Sequence, residues 1–267
     1  MKFISLGSGS SGNCYLLQSG DTSILLDAGI GIRTLKKHLK DYGLSLEHDI
    51  AAVFITHDHA DHIKAVGNIA NDYGKTIHAT NLVHQGIARN HCVTNKVPAN
   101  RMAFFEKGET VEVGNLRIMP FDVPHDSRDC VGYSVEADGV RFCLITDAGR
   151  VTETICEQVG LANYLVLESN HDVNMLLMGP YSAYLKERIS SGNGHLSNDK
   201  AGYLLAEHAT PQLRHVWLCH LSEENNHPEL ARKTVEGILR DHGIIPGVDF
   251  ELDILKRKSP SEIYSLT

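Results

Sequence analysis

Short apolar runs separated by turn residues fill the first part of the chain. The segments KFISLGS, CYLLQSG and TSILLDAG within residues 2–27 predict three β-strands, and SGD at 19–21 predicts a hairpin turn between the last two. Residues 31–42 carry apolar side chains at helical spacing and predict an amphipathic helix. A buried strand is predicted at 51–56, and a helix at about 61–73.

The rest of the chain mixes strands with helices. Residues 102–146 are rich in apolar runs and predict several strands, with Asp138-Gly139 as a strong hairpin signal. The other predicted elements are strands at 75–80, 164–169, 215–220 and 250–254, and helices at 81–91, 151–160, 171–190 with a break at Gly179-Pro180, 198–208 and 228–242. We therefore predict one α/β domain, 1–267, with two β-rich halves, helices outside them, and a less ordered tail from about residue 256.

Composition narrows the class of protein. The chain has 267 residues, 42% of them hydrophobic, which is enough for a sizeable core. No apolar run reaches the roughly 18 to 20 residues needed to cross a bilayer, and the apolar stretch at the N-terminus is too short for a signal peptide. The six cysteines are scattered without a CxxC pair, which favours reduced thiols. We expect a cytoplasmic protein without a membrane partner.

The net charge of -8 argues against a broad basic surface for nucleic acid. Bound divalent ions would change the local balance, because two of them would add about four positive charges. The basic helix at 31–42 and Lys64 could extend such a positive region, although a solvated helix face is the more ordinary interpretation of its lysines.

Residues 56–62, THDHADH, pack three histidines and two aspartates directly behind the apolar run AAVFI. Polar groups at the end of a buried strand need partners, since leaving them unpaired is costly. A single histidine in this position is usually a hydrogen-bonded surface residue. Here His57 and His59 project from one extended segment, and Asp61 and His62 lie in the first turn of the next helix. This density predicts a metal site.

Four further strands end in a possible ligand, which are Asp27, His125, Asp147 and His220. Strand ends at one edge of a sandwich lie close in space, so these residues could complete one site. Imidazoles and carboxylates without thiolates suit zinc, manganese or iron. Even without Asp27, seven candidate ligands are too many for one ion, whereas two ions sharing a carboxylate would fit. Such two-metal sites promote in-line displacement at phosphorus.

The motif THDHADH resembles the HxHxDH signature of the metallo-β-lactamase superfamily, and the four strand-end residues fall at its remaining motif positions. The resemblance implies a four-layer αββα sandwich with a dinuclear site at one edge. It assigns His57, His59 and His125 to one metal, Asp61, His62 and His220 to the other, and Asp147 to a bridge between them. It places Asp27 behind the ligands as an orienting residue.

The branch of the superfamily follows from three features. Asp147 stands where secreted zinc β-lactamases have a cysteine, and the region after His220 is too short for a glyoxalase of the second type. In the phosphodiesterase branch, which includes tRNase Z, a histidine in a GHxS-like motif donates a proton to the leaving oxygen and a glutamate orients it. His195 in GHLSN and Glu168 in YLVLES match these positions. Asp61 is the third predicted catalytic residue, since it would hold the proton of the attacking water.

A more specific resemblance is to the YycJ/WalJ family, through LGSGSSGNCYLL, FITHDHADH, ITDAG, LVLESNHD, MLLMGPYSAYLKERI, GHLSN and HLSEENNHP. That family is associated with 5′ to 3′ exonuclease activity on DNA. The segment between Asp147 and His220 is too short for a β-CASP insert. The resemblance therefore implies a metal-dependent phosphodiesterase with a nucleic-acid substrate, DNA in the first place.

The glycine- and serine-rich loop at residues 7–13 is a second candidate contact with substrate. Backbone N–H groups in such a loop can cradle a phosphate, and Ser10, Ser11 and Asn13 could add donors, although a plain tight turn is equally compatible. Three rival functions stay open: a small-molecule cyclic phosphodiesterase, an RNA-processing nuclease, and a binding partner with a vestigial site. The sequence decides neither the identity of the metal nor the oligomeric state.

Overall fold

The computed structural model describes all 267 residues. The first half of the chain contains one strand-rich unit with its covering helices. Its elements are β1 (Lys2–Gly7), β2 (Cys14–Ser19), β3 (Thr22–Leu26), α1 (Ile32–Asp41), β4 (Ile50–Phe54), α2 (Ala60–Ile63), α3 (Val66–Asp72), β5 (Thr76–Ala79), α4 (Asn81–Arg89) and β6 (Met102–Phe104).

The second half begins with antiparallel strands and continues with alternating strands and helices. Its elements are β7 (Val111–Val113), β8 (Leu116–Asp122), β9 (Val131–Ala137), β10 (Val140–Ile145), α5 (Glu153–Leu161), β11 (Tyr164–Glu168), α6 (Val173–Met178), α7 (Ala183–Ser190), α8 (Asn198–His208), β12 (His215–Cys219), α9 (Pro228–Asp241), β13 (Glu251–Ile254) and β14 (Tyr264–Ser265). The predicted hairpin at Asp138-Gly139 joins β9 to β10, with φ of 55° and 74° at the two residues, as a two-residue turn requires.

The strands form two seven-stranded mixed sheets. The first has the order β14-β1-β2-β3-β4-β5-β6, and the second has the order β13-β12-β11-β10-β9-β8-β7. In the first sheet β3, β4, β5 and β6 run parallel, and in the second β10, β11, β12 and β13 do so. Parallel neighbours end at the same edge, so residues that follow these strands meet there.

Three apolar layers hold the sheets and helices together. The middle layer lies between the two sheets and contains side chains from both, among them Phe3, Phe54, Phe142 and Trp217. One outer layer packs the first sheet against α1, α3 and α4, and the other packs the second sheet against α5, α8 and α9. The three apolar layers lie between four layers of secondary structure: helices, the first sheet, the second sheet and helices. The fold is therefore the αββα sandwich that the sequence predicts. Because the middle layer belongs to both sheets, we propose that 1–267 fold as one domain.

Helix starts follow from side-chain capping. Thr80, Thr152, Asp172, Ser182 and Ser197 precede α4, α5, α6, α7 and α8, and the side-chain oxygen of each accepts a hydrogen bond from a backbone N–H in the first turn. None of the helices combines the length and the apolar character needed to cross a bilayer.

The predicted helix at 61–73 is two helices, α2 and α3. The N–H of Ala65 donates to the carbonyl of Ala28 at 2.9 Å, and the N–H of Ala28 donates to the carbonyl of His62 at 2.8 Å. The loop after β3 therefore takes up backbone groups of the His62–Ala65 stretch, which interrupts the helix while anchoring it beside Asp27.

The tail differs from the expectation of a less ordered segment. Tyr264 and Ser265 pair antiparallel with β1, and the N–H of Leu266 donates to the carbonyl of Met1 at 2.8 Å. The Leu266 side chain is 1% exposed in the layer between the sheets. The apolar side chains at the end of the tail bury surface against the sheets, which holds the segment in place.

Candidate metal centre

The predicted site residues meet where parallel strands of both sheets end. Asp27 follows β3, Asp147 follows β10, and His220 follows β12. All three have a left-handed backbone, with φ of 62°, 55° and 52°, which non-glycine residues seldom adopt. The only other non-glycine residue with positive φ is Asp138, in a hairpin turn. Backbone strain of this kind concentrates at functional sites, where surrounding contacts hold it in place.

The first group of candidate ligands contains His57, His59 and His125. Each offers a ring nitrogen, and these atoms lie within 4.8 Å of one another. Nδ1 of His125 donates to the carbonyl of Gly194 at 3.0 Å, which leaves its Nε2 directed at Nδ1 of His59, 3.2 Å away. Burial lowers the pKa of His57 and of His125, which favours the neutral imidazole that binds a metal ion.

The second group contains Asp61, His62 and His220, again with ligand atoms within 4.8 Å. Oδ2 of Asp61 lies 3.6 Å from Nε2 of His62 and 3.4 Å from Nε2 of His220. Burial of Asp61 acts against ionisation, but the charges of the two nearby imidazoles outweigh it and lower the pKa of the carboxyl.

Asp147 lies between the two groups. Its carboxylate is 3.3 Å from Nε2 of His62 and 3.6 Å from Nε2 of His125. It therefore lies against histidines of both groups. This is the position that a shared ligand between two ions would need.

Asp27 holds His62 from behind. Nδ1 of His62 donates to Oδ2 of Asp27 at 2.7 Å, which directs Nε2 toward Asp61 and Asp147. The N–H of Thr56 donates to Oδ1 of Asp27 at 2.8 Å, and its hydroxyl donates to Oδ2 at 2.9 Å. The carboxylate is completely buried, so these bonds supply its only partners.

Glu168, the last residue of β11, lies beneath two imidazoles. Its Oε1 accepts from Nδ1 of His195 at 2.8 Å and from Nδ1 of His220 at 2.9 Å. Its Oε2 accepts the N–H groups of Ala148 and Leu196 at 2.9 and 3.0 Å. Burial opposes ionisation, but His195 and the hydrogen bonds lower the pKa of Glu168 to about 2.

The charge on Glu168 acts back on the histidines. Burial alone would lower the pKa of His195, yet Glu168 raises it above the ordinary value. Asp147, with Asp61 and Glu168, similarly raises the pKa of His220 to about 10 against the effect of burial. The ring of His195 makes its hydrogen bond through Nδ1, which leaves Nε2 without a partner in the protein.

The residues present fit a pair of divalent ions. Nε2 of His57 and Nε2 of His220 are buried and have no hydrogen-bond partner, which is costly unless an ion occupies the space they face. The surrounding donors are imidazole nitrogens and carboxylate oxygens, with no cysteine among the groups that could hold an ion. This donor set suits zinc, manganese or iron. The assignment of each ligand to an ion stays a prediction.

Two neighbours of the cluster were missed by the sequence analysis. The carboxylate of Asp126 lies 3.4 Å from Nε2 of His125 and 3.7 Å from Nε2 of His59, and it pairs with Arg188. Its position next to His125 in the chain was the available signal. Ser8, whose hydroxyl accepts the N–H of His220 at 3.0 Å, could only be found from the structure.

The residues of the glycine- and serine-rich loop have different environments in the structure. Ser10 and Ser11 are exposed, and their contact with a phosphate stays a prediction. Asn13 is completely buried, and its amide donates to Oδ2 of Asp61 at 3.3 Å and lies 3.0 Å from Nε2 of His62. Asn13 therefore supports the ligands in this structure and is not open to a phosphate.

The fold and this cluster together define a metal-dependent hydrolase. A model of the beta-lactamase superfamily domain matches residues 22–220, from the start of β3 to the last predicted ligand. The crystal structure of the metallo-β-lactamase fold protein YhfI from Bacillus subtilis covers 98% of both chains with a TM-score of 0.71 at 19% identity. This likeness shows that the fold is shared.

Two relatives cover nearly the whole chain. Exodeoxyribonuclease YycJ of Bacillus anthracis is 33% identical over 263 residues, which are 98% of each chain. Exodeoxyribonuclease WalJ of Streptococcus pneumoniae is 35% identical over 251 residues, 94% of this chain and 93% of that one. The chain belongs to the metallo-β-lactamase superfamily and, within it, to the family of YycJ and WalJ.

Proposed function

We propose that this protein is a DNA exonuclease that uses two divalent ions and degrades its substrate from the 5′ end. The observation that carries the proposal is the Glu168–His195 pair beside the histidine–carboxylate cluster, because it adds a proton donor to a site suited to phosphodiesters. The names of YycJ and WalJ as exodeoxyribonucleases support DNA as the substrate.

The two groups of candidate ligands support a pair of ions. His57, His59 and His125 would hold one, Asp61, His62 and His220 the other, and Asp147 would contact both. Bound there, two divalent ions would activate water and neutralise charge that develops at phosphorus.

Asp61 and His195 supply the proton chemistry. The carboxylate of Asp61 is ionised and 22% exposed, so it can accept a hydrogen bond from the attacking water and hold its proton. Glu168 raises the pKa of His195, which favours the protonated ring, and its free Nε2 can donate a proton to the leaving oxygen of the sugar. Glu168 fixes the ring and stabilises its charge.

The test uses duplex DNA with a 5′ phosphate, labelled at either end, incubated with the protein and Mn²⁺ or Zn²⁺. We expect mononucleotides to be released progressively from the 5′ end, and Asp61→Ala run beside the wild type to release none. Release from the 3′ end would remove the proposed polarity. Intact DNA with either metal would remove the exonuclease assignment.

A small-molecule phosphodiesterase is the second candidate. A cavity of about 190 Å³ lies against His59 and His195, which is a size compatible with part of a cyclic nucleotide. Hydrolysis of a cyclic mononucleotide at a rate above that of DNA would favour this candidate. The same assay on RNA of equal sequence distinguishes a DNA enzyme from an RNA-processing nuclease.

A further inference from the structure

The cavity beside the metal centre has one wall made by the segment before and within α7. Its volume is about 190 Å³, and Tyr181, Leu185, Arg188 and Ile189 line the side opposite His59 and His195. This is smaller than the roughly 300 to 1,000 Å³ of pockets that enclose a drug-sized ligand. It has space for one planar ring system next to the reacting phosphate, and the remainder of a substrate must lie on the surface outside.

Several large apolar side chains are exposed on the two helices outside the cavity. No residue of α7 is buried, and Tyr184 is 78% exposed. On the neighbouring α6, Leu177 is 62% and Met178 is 88% exposed. Large apolar side chains exposed on a surface often mark interaction sites, because their contact with water is unfavourable. Two further apolar side chains of α7, Leu185 and Ile189, line the cavity itself.

Arg188 adds a cation to this apolar surface. Its Nε donates to Asp126, while its two Nη groups make no hydrogen bond within the protein, and the side chain is 49% exposed. Tyr184 precedes Arg188 by one helical turn, so the two side chains share a face of α7. A ring and a guanidinium with free N–H groups, side by side, suit a nucleobase and a phosphate.

We propose that Tyr181, Tyr184 and Arg188 form a subsite for one unpaired nucleotide of the substrate strand. The base stacks on a tyrosine ring at the mouth of the cavity, and Arg188 binds the adjoining phosphate. A base held in a duplex is enclosed by its own pair and neighbours, so its pair must open before the base reaches this surface. The inference rests on the proposed exonuclease function and specifies that the bound nucleotide is unpaired.

The central variant is Tyr184→Ala, measured on 5′-phosphorylated DNA with a short single-stranded 5′ end. We expect KM to rise roughly tenfold with kcat little changed, which corresponds to the loss of one stacked base. Tyr184→Phe keeps the ring and should retain wild-type KM. Tyr203→Ala is the matched control, because Tyr203 is 49% exposed and lies on α8 against His242.

Removing the base from the substrate gives the decisive comparison. We would place an abasic nucleotide at the first, second or third position from the 5′ end. At one of these positions the abasic substrate should raise the KM of the wild type by roughly the same factor of ten. On that substrate Tyr184→Ala should cause no further rise in KM. Equal effects of Tyr184→Ala on every abasic substrate would overturn the subsite, because the side chain would act without contacting a base.

The outcomes separate this inference from the function on which it rests. If the wild type degrades DNA and Tyr184→Ala has an unchanged KM, only the subsite is overturned. If the wild type leaves DNA intact, both are overturned. If Tyr203→Ala raises KM as much as Tyr184→Ala, the loss is a general effect of surface change and the subsite is again overturned.

Discussion

Glu168 connects the two parts of the site through a single oxygen atom. Its Oε1 accepts from His195, the proposed proton donor, and from His220, a proposed ligand. A completely buried carboxylate needs such partners, and two backbone N–H groups on Oε2 complete them. Through Glu168, the position of the proposed proton donor His195 is therefore coupled to the position of the proposed metal ligand His220.

Replacing His195 with alanine tests the proton-donor role. We expect kcat to fall about 100- to 10,000-fold, because the leaving oxygen loses its proton donor. The bound metal per chain, measured by elemental analysis, should not change, since Nδ1 of His195 contacts Glu168 and no proposed metal ligand depends on it for a hydrogen bond. His48→Ala, at an exposed histidine, serves as the control. Full activity in His195→Ala would exclude the proton-donor role.

Replacing Glu168 with glutamine should have a double effect. The amide keeps the shape but loses the charge that holds two imidazoles. We expect kcat to fall as in His195→Ala and, in addition, metal affinity to fall roughly 10- to 100-fold, as when a hydrogen-bond partner of a ligand is lost. Competition with a chelator measures the affinity. Unchanged affinity would show that His220 does not depend on Glu168.

At this scale the sequence predicted residue types but not their contacts. The dense motif at 56–62 and the acids and histidines after apolar strands marked the cluster. The second bond of Glu168 and the buried amide of Asn13 could not be predicted, because they depend on which atoms face each other across separate elements. Asp126 was missed since an acid next to a histidine has no periodic signal.

The element scale shows where local patterns compete with tertiary contacts. The helical pattern at 61–73 is real, yet the carbonyl of Ala28 takes the N–H of Ala65 and divides it into α2 and α3. Predictions that depended on turn chemistry, such as the hairpin at Asp138-Gly139 and the break between α6 and α7, are confirmed. Glycine and proline determine the backbone conformation locally, so predictions based on them depend little on tertiary contacts.

The packed tail yields a stability prediction. Leu266→Ala removes a side chain that is 1% exposed between the sheets, and we expect unfolding free energy to fall by about 2 to 4 kcal/mol. Urea denaturation measures it. Ile263→Ala, at a position that is 48% exposed, serves as the control and should change stability by less than about 0.5 kcal/mol. Equal small effects would mean that the tail does not contribute to the core.

On the scale of the whole molecule, the site joins the two sheets. Asp27 and the motif at 56–62 belong to the first sheet, while Asp147, Glu168 and His220 belong to the second. The motif set predicted this sandwich through a family resemblance, whereas periodicity alone predicted only an α/β domain. How the two sheets pack face to face depends on contacts between residues far apart in the chain, which a short stretch of sequence does not reveal.

The charge of the whole chain is consistent with an ion-dependent site. Asp27, Asp61, Asp147 and Glu168 contribute to the net charge of -8, yet all four contact imidazoles at the centre. Two divalent ions would add about four positive charges and offset these four carboxylates, so the site of an acidic protein would no longer repel an acidic polymer. This requires that DNA hydrolysis depend on the ions themselves.

The most direct test is a titration of metal-free protein with Mn²⁺ in the presence of 5′-labelled DNA, with bound Mn²⁺ and released nucleotide measured together. We expect turnover to appear as two ions bind per chain, and to be absent in Asp61→Ala, which should also lose one ion. Turnover without bound metal, or two bound ions with intact DNA, would contradict a two-metal exonuclease.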